Sequence, residues 1–256
     1  MQRNFIDWGG NIVALVLMII VNVLSSAVPL NNQTMSEISE KYPSLFTPAG
    51  FTFSIWGLIY LGLIGFAIYQ ALPAQLSHAG IARISGYFKL NCLANALWIF
   101  AWHYDHLLLS LGLMVAILLS LVAIYRDLGI LNIAQSRAHQ WFIQFPFGLY
   151  TGWITVATIA NLSAVQIGFG WDNVWFSAIN WTLLKLAVAG AVAVTVIMRR
   201  GDMVFVLVVA WAAYGIFAKQ SATPAVAGAA WMLTMLALLL TSGELLRKFR
   251  LRETRS

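Results

Sequence analysis

The run LLLSLGLMVAILLSLVAIY, from Leu107 to Tyr125, decides the fold class. It carries no charged residue and approaches the roughly 20 apolar residues that a helix needs to cross the hydrocarbon of a bilayer. The break before it spans only residues 104–106, so the preceding apolar run, 86–103, must turn back through a tight helical hairpin. After it, Arg126 opens a polar stretch that lasts until about residue 140, where another apolar run begins. Continued in both directions, this alternation predicts membrane spans at 12–30, 51–71, 86–103, 107–125, 141–165, 174–198, 203–219 and 225–246. The reading is an all-α, polytopic membrane bundle of about eight transmembrane helices.

Composition agrees. The chain is 61% hydrophobic and 9% charged, where a soluble domain carries about 25% charged residues. The net charge of +6 does not imply a nucleic-acid partner, because the basic residues sit between apolar runs rather than in one patch. With eight spans and a cytoplasmic N-terminus, cytoplasmic segments hold twelve of the fifteen basic residues: Arg3, Arg83, Lys89, Arg126, Arg137, Arg199, Arg200, Arg247, Lys248, Arg250, Arg252 and Arg255. The opposite loops hold Lys41 and Lys219, and Lys185 lies within a span. That bias is the positive-inside pattern with both termini cytoplasmic, the bacterial inner membrane being the expected location. Trp8 and Trp141 fall at one predicted interface and Trp102, Trp171 and Trp175 at the other, the depth that indoles favour. The first apolar run is too long for a signal-peptide core and reads as a retained span. The single cysteine, Cys92, excludes an intrachain disulfide.

Polar and aromatic residues recur at helical spacing on several spans. The third carries Asn91, Asn95, Trp98 and Trp102 on one stripe, and the fifth carries Pro146, Tyr150, Trp153, Ala157 and Asn161. The first places Asn22, Ser25 or Ser26, and Pro29 on one face, and the second places Phe53, Trp56 and Tyr60 together. Amides are costly in lipid, so each stripe should face the bundle interior. Two readings stand: the stripes enclose a pocket in the outer half, beneath the loop 31–50, or they are hydrogen-bonding glue between helices. In that loop Thr34 and Glu37 have the spacing of a capping box for a short helix, and Asn32-Gln33-Thr34 fits a glycosylation sequon.

The stretch from Tyr42-Pro43-Ser44-Leu45-Phe46-Thr47-Pro48-Ala49-Gly50 through Trp56 to Tyr60 resembles the approach to the second helix in the TspO/MBR family of tryptophan-rich sensory proteins. Asn95-Ala96-Leu97-Trp98 is similar to that family's third helix, and the run from Phe145-Pro146 through Trp153 and Ala157 to Asn161 to its fifth. The resemblance covers roughly residues 8–168. It implies a five-helix core (1–168) around a pocket for tetrapyrroles, sterol-like lipids or aromatic ligands, lined by Trp56, Asn95, Trp98, Trp153, Ala157 and Asn161. Residues 169–256 would then add three helices and a basic tail. A tetrapyrrole is the expected ligand rather than a required cofactor, and a homodimer is an implied assembly. The sequence departs from the family at Phe147, where a tyrosine is usual, and lacks a sterol-type motif at the end of the fifth helix.

Some residues call for separate weighing. Lys185, inside the sixth span, needs a partner or a wet cavity. An anionic ligand group such as a tetrapyrrole propionate is one reading; a snorkelling stem, a backbone-carbonyl partner or a deprotonated amine is the other. His103, Asp105 and His106 offer too few ligands for a metal and read as a solvated turn. Glu244 reads as an ion pair with Arg247 and Lys248. No phosphate loop, zinc-protease motif, nucleophile elbow or paired intramembrane acid is present.

The leading expectation is therefore a membrane receptor or carrier for a hydrophobic ligand, bound by Trp56, Tyr60, Asn95, Trp98, Tyr150, Trp153, Ala157, Asn161 and Lys185. Two alternatives remain at this stage. One is a secondary transporter of a small anionic or amphipathic solute that uses Lys185; the other, ranked last, is an enzyme that degrades porphyrin in light. No catalytic or metal-binding residue is predicted.

Overall fold

The computed structural model describes residues 3–28, 30–33, 35–128 and 136–253. Pro29, Thr34 and Arg255, and with Thr34 the capping box and the sequon, lie outside the described residues, as does the side chain of Ser26. Among the described residues every regular element is helical. In chain order these are α1 (Phe5–Ala27), the short α2 (Met35–Lys41), α3 (Ile55–Ala71), α4 (Ala79–His103), α5 (Leu107–Asp127), the single turn α6 (Arg137–His139), α7 (Phe145–Gly168), α8 (Ala178–Arg200), α9 (Met203–Lys219) and α10 (Pro224–Glu253). Eight of them have 17 residues or more.

These long helices alternate in direction, and cross-links at each end show it. At one end, called here the loop end, Lys41 reaches Asp105, Asn31 reaches the carbonyl of His103, and the Ala49 amide donates to Gly215. At the other, the terminal end, Arg3 binds Gln70, Arg83 binds the Asp127 carbonyl, Tyr125 binds Asp202, and Lys248 binds the Gly201 carbonyl. The start of α1 and the last turns of α10 thus share one end of the bundle, as an even number of crossings requires. The expected pairing of Glu244 is present, with Arg247 at 2.8 Å and Lys248 at 3.6 Å.

Five segments are long and apolar enough to cross a membrane by composition alone: Phe5–Ser25, Gly50–Ala71, Leu107–Asp127, Ala178–Arg200 and Pro224–Leu251. Helix α9 is apolar but shorter. Helices α4 and α7 miss that mark because they spend positions on buried polar groups, Asn91 and Asn95 on one and Asn161 and Gln166 on the other. The α4 amides are satisfied by neighbours, which is the usual condition for holding an amide within a bilayer, whereas Asn161 and Gln166 of α7 each keep an unpaired side-chain atom. Asn91 donates to Ser120 at 2.9 Å, and the Ser85 hydroxyl donates to Asn11 at 2.9 Å.

Helix boundaries differ from the sequence expectation: α1 begins at Phe5 rather than 12 and α10 runs to Glu253 rather than 246, and three further differences have a local cause. The sixth span begins at Ala178, not 174, because the Ser177 side chain accepts from the Asn180 amide and caps the helix there. The third begins earlier, at Ala79, where the His78 ring accepts from the Ile81 amide. In the fifth, residues Gln140–Gln144 form a π-helical turn ahead of Pro146. Proline has no N–H to donate and its ring crowds the preceding turn, and widening that turn accommodates both.

Candidate functional site

The site grows from one face of α7. Trp153, Val156, Ala157, Ala160, Asn161 and Ala164 recur at helical spacing and line a cavity near the loop end. The small residues leave the space, and aromatic rings from other elements border it. Trp98 and Trp102 of α4 stand parallel, with ring centroids 5.9 Å apart. Trp56 of α3 meets Trp153 edge-on at 6.3 Å, and Phe53 meets Trp153 edge-on at 5.8 Å. Met114 of α5 closes the floor, and Ser39, Tyr42, Thr47 and Pro48 of the long loop form the roof.

Three buried donors at this cavity have no partner: the indole N–H of Trp98, the indole N–H of Trp153 and the side-chain amide N–H group of Asn161. The exposures of these residues are 7%, 3% and 3%. The Asn161 carbonyl oxygen is otherwise engaged, 3.2 Å from the Ser110 hydroxyl. Buried polar atoms are nearly always paired, and each unpaired one costs about 1–3 kcal/mol. A cavity with apolar walls and three unpaired donors among its lining residues is matched by an apolar body that carries acceptor oxygens.

The roof is latched. Lys41 donates to one oxygen of Asp105 at 2.8 Å, and the Tyr42 hydroxyl donates to the other at 3.0 Å. Asp105 sits in the hairpin turn between α4 and α5 with a positive φ of 57°. Burial alone would push its carboxyl up, but the Lys41 and Tyr42 hydrogen bonds and the Lys41 and His106 charges hold it below the ordinary range. Desolvation, and then the Asp105 carboxylate, push the Tyr42 phenol up to about 12. The cluster that read as a solvated turn therefore ties the loop over the cavity. Among the described residues no group of three metal-ligating side chains occurs.

The free space here is about 690 Å³ including the part open to the outside, but only about 70 Å³ of it admits the centre of a water-sized molecule. A second, roomier chamber adjoins it, with about 1200 Å³ of free space bordered by Asn22 and Ser25 of α1, by Tyr60, and by Phe53, Trp56 and Trp98. The last three residues line both chambers and so partition them. A tetrapyrrole-sized ligand would have to displace that partition or the roof.

The predicted residues are sorted by this geometry. Trp56, Trp98, Trp153, Ala157 and Asn161 line the first chamber together. Tyr60 lines only the second, stacked on Trp56 at 5.5 Å. Asn95 and Tyr150 are fully buried behind the wall instead of lining it, because they spend their polar groups on each other. The Asn95 amide donates to the Tyr150 hydroxyl at 2.9 Å and accepts from Asn22 at 2.8 Å. Lys185 belongs to a different cavity altogether, on the far side of α7. Sequence reasoning missed Tyr42, Thr47, Pro48 and Met114. The first three had a signal in the family-like stretch, whereas Met114 sits in a run so uniformly apolar that no face stands out.

The profile of the family described as TSPO-like protein matches residues 7–242. The chain belongs to that family. This is the TspO/MBR membership that the three sequence segments indicated, and it extends past residue 168 through α8, α9 and most of α10. No curated protein and no solved structure matches the chain. TSPO-like membership, with the apolar helices, makes this an integral membrane protein of a ligand-binding type.

Proposed function

We propose that the chain is a membrane receptor or carrier for a flat, largely apolar ligand that bears acceptor oxygens, a tetrapyrrole or a sterol-like lipid being the leading classes. The observation that carries this reading is the set of three unpaired donors, on Trp98, Trp153 and Asn161, at an aromatic-walled cavity. Stacking on Trp56, Trp98 and Trp153 supplies contact area, and the indole and amide donors fix orientation. The latched loop governs access. The terminal end, which gathers Arg3, Arg83, Arg126 and Arg247, faces the cytoplasm in this reading, in a bacterial inner membrane. Binding rather than chemistry is favoured, since no acid–base pair lines the cavity among the described residues.

The test is a titration of the detergent-purified protein with protoporphyrin IX, followed by tryptophan fluorescence, beside a Trp153→Phe variant. The expected result is saturable quenching whose affinity falls roughly 5- to 20-fold in the variant, the loss of one donor and part of a ring contact. Equal affinity in the two proteins would remove Trp153 from the site, and quenching that never saturates would exclude this ligand class.

A further inference from the structure

Lys185 lies seven residues into α8, about 10 Å from the start of the helix at the loop end. It is 9% exposed. Its ammonium donates to the Ser163 hydroxyl at 2.8 Å, and Ser163 in turn donates to the Ile159 carbonyl. Among the described residues no carboxylate lies within ion-pair distance of it. Asp172, in the wall of the same cavity, acts on it through space without forming an ion pair; an ammonium has three N–H donors, and a buried cation that is only partly compensated is expensive in a bilayer.

The rest of its surroundings form a cavity of about 310 Å³ between α7 and α8, bordered by Leu45, Ser163, Gln166, Asp172 and Trp181. That volume includes space open to the outside; the enclosed part is small, sized for a carboxylate group rather than for a whole ligand. Gln166, 8% exposed, lines the cavity with its side-chain oxygen unpaired. Rotating its amide would present the NH2 group instead, a second donor beside the ammonium. This cavity is separate from the aromatic one. On α7, Ala157, Asn161 and Ala164 face one and Ser163, Gln166 and Ile167 the other, so the helix is a wall between them. A tetrapyrrole in the aromatic chamber therefore cannot place a propionate on Lys185.

We infer that the α7–α8 cavity is a second ligand site, which takes the carboxylate of a small monoanionic amphipath with Lys185 as its counter-charge. The carboxylate accepts from Lys185 and from the rotated Gln166 amide, and its apolar body lies against Trp181 and Leu45. The Asp172 carboxylate in the same wall opposes any anion, which limits the ligand to a single negative charge and to a modest affinity. The inference stands apart from the aromatic pocket and does not depend on what that pocket binds.

Thermal unfolding of the full chain in detergent, at neutral pH and fixed ionic strength, tests it with sodium benzoate against benzamide, which has the same shape without the charge. Benzoate is expected to raise Tm saturably, by about 2–4 °C at a tenfold excess over its Kd, and benzamide to leave it unchanged. Lys185→Met should abolish the benzoate shift, and Trp153→Phe should keep it. Equal shifts with the two compounds, no saturable shift with benzoate, or a benzoate shift that survives Lys185→Met would each overturn the site and leave a lysine solvated by water. The benzoate–benzamide comparison needs no variant, so it decides even if Lys185→Met fails to fold.

Discussion

The first five long helices and the last three are built on different principles. Buried amides and hydroxyls cross-link α1, α4, α5 and α7, and the two aromatic chambers lie among them and α3. Helix α9 instead buries Val206, Val208, Val209, Ala210, Ala212 and Ala213, while α8 contributes Ala189 and Ala193 and α10 Ala227 and Ala230. In lipid, where no hydrophobic effect pulls helices together, small residues permit the close packing that does. Helix α9 also packs along α7. A Cβ on Gly152 would stand 3.0 Å from Val208 and 3.1 Å from the Phe205 carbonyl oxygen. Beyond that seam, the Trp211 indole donates to the Thr52 carbonyl at 3.0 Å, beside Phe53 of the chamber wall. Polar cross-links shape the half that holds the aromatic chambers, and close apolar packing shapes the half set against it.

The largest expected effect comes from prising the two halves apart. Gly152→Val puts a branched side chain against backbone that cannot yield, an overpacking cost of about 1–3 kcal/mol. The thermal midpoint in detergent should fall, and porphyrin quenching should weaken with it, although the residue touches neither chamber. Unimpaired quenching in a destabilised variant would refute the buttress.

A smaller loss is expected within the polar half. Asn95→Leu removes a donor from Tyr150 and an acceptor from Asn22, at a cost of about 0.6–2 kcal/mol. Denaturant unfolding followed by circular dichroism measures it. An unchanged midpoint would mean that the ladder adds specificity without stability.

Asp202 is a polar link at the seam. Its carboxylate caps α9 through the Phe205 amide at 3.0 Å and accepts from Tyr125 at 2.7 Å. Asp202→Ala should cost about 1 kcal/mol for the cap alone, and Asp202→Asn, which keeps an acceptor, should cost less. Burial pushes this carboxyl up, against the lowering pull of the Phe205 amide and Tyr125. Its contribution is therefore full below the ordinary carboxylate range and fades as pH rises through the elevated value. Asn should gain on Asp from acid to neutral pH in thermal melts, and a constant gap would contradict that.

The smallest effect concerns the latch. Lys41 and Asp105 are partly exposed, so their pair is worth about 0.2–1 kcal/mol. Asp105→Asn should speed porphyrin release up to about fivefold in stopped-flow quenching. Because the Asp105 carboxyl is held low, the latch is intact above the ordinary carboxylate range and opens only as pH falls through the depressed value. Release rates that already climb between pH 7 and pH 6 would point to a different group.

Much of this was legible from letters alone. Charge-free runs such as Leu107–Tyr125 marked the long helices, and the stripes named Trp56, Trp98, Trp153, Ala157 and Asn161, which line one chamber. Periodicity says which face of a helix is polar, and a membrane forces that face inward. It does not say whether an inward amide meets a neighbour or a void. Asn95 and Asn161 read alike in sequence, yet one is consumed by Tyr150 and Asn22 while the other keeps two N–H donors free.

The sequence by itself determined the helical membrane class and the TSPO-like kinship, because hydrocarbon thickness and backbone hydrogen bonding leave a bilayer-spanning chain few choices. Only the tertiary structure decided that the chamber is roofed by Tyr42 and Pro48, that Asp105 latches that roof, and that α7 walls Lys185 off from the aromatic pocket. Those outcomes depend on how helices rotate and pack against residues far away in the chain, and the spacing within a single helix carries no record of its partners.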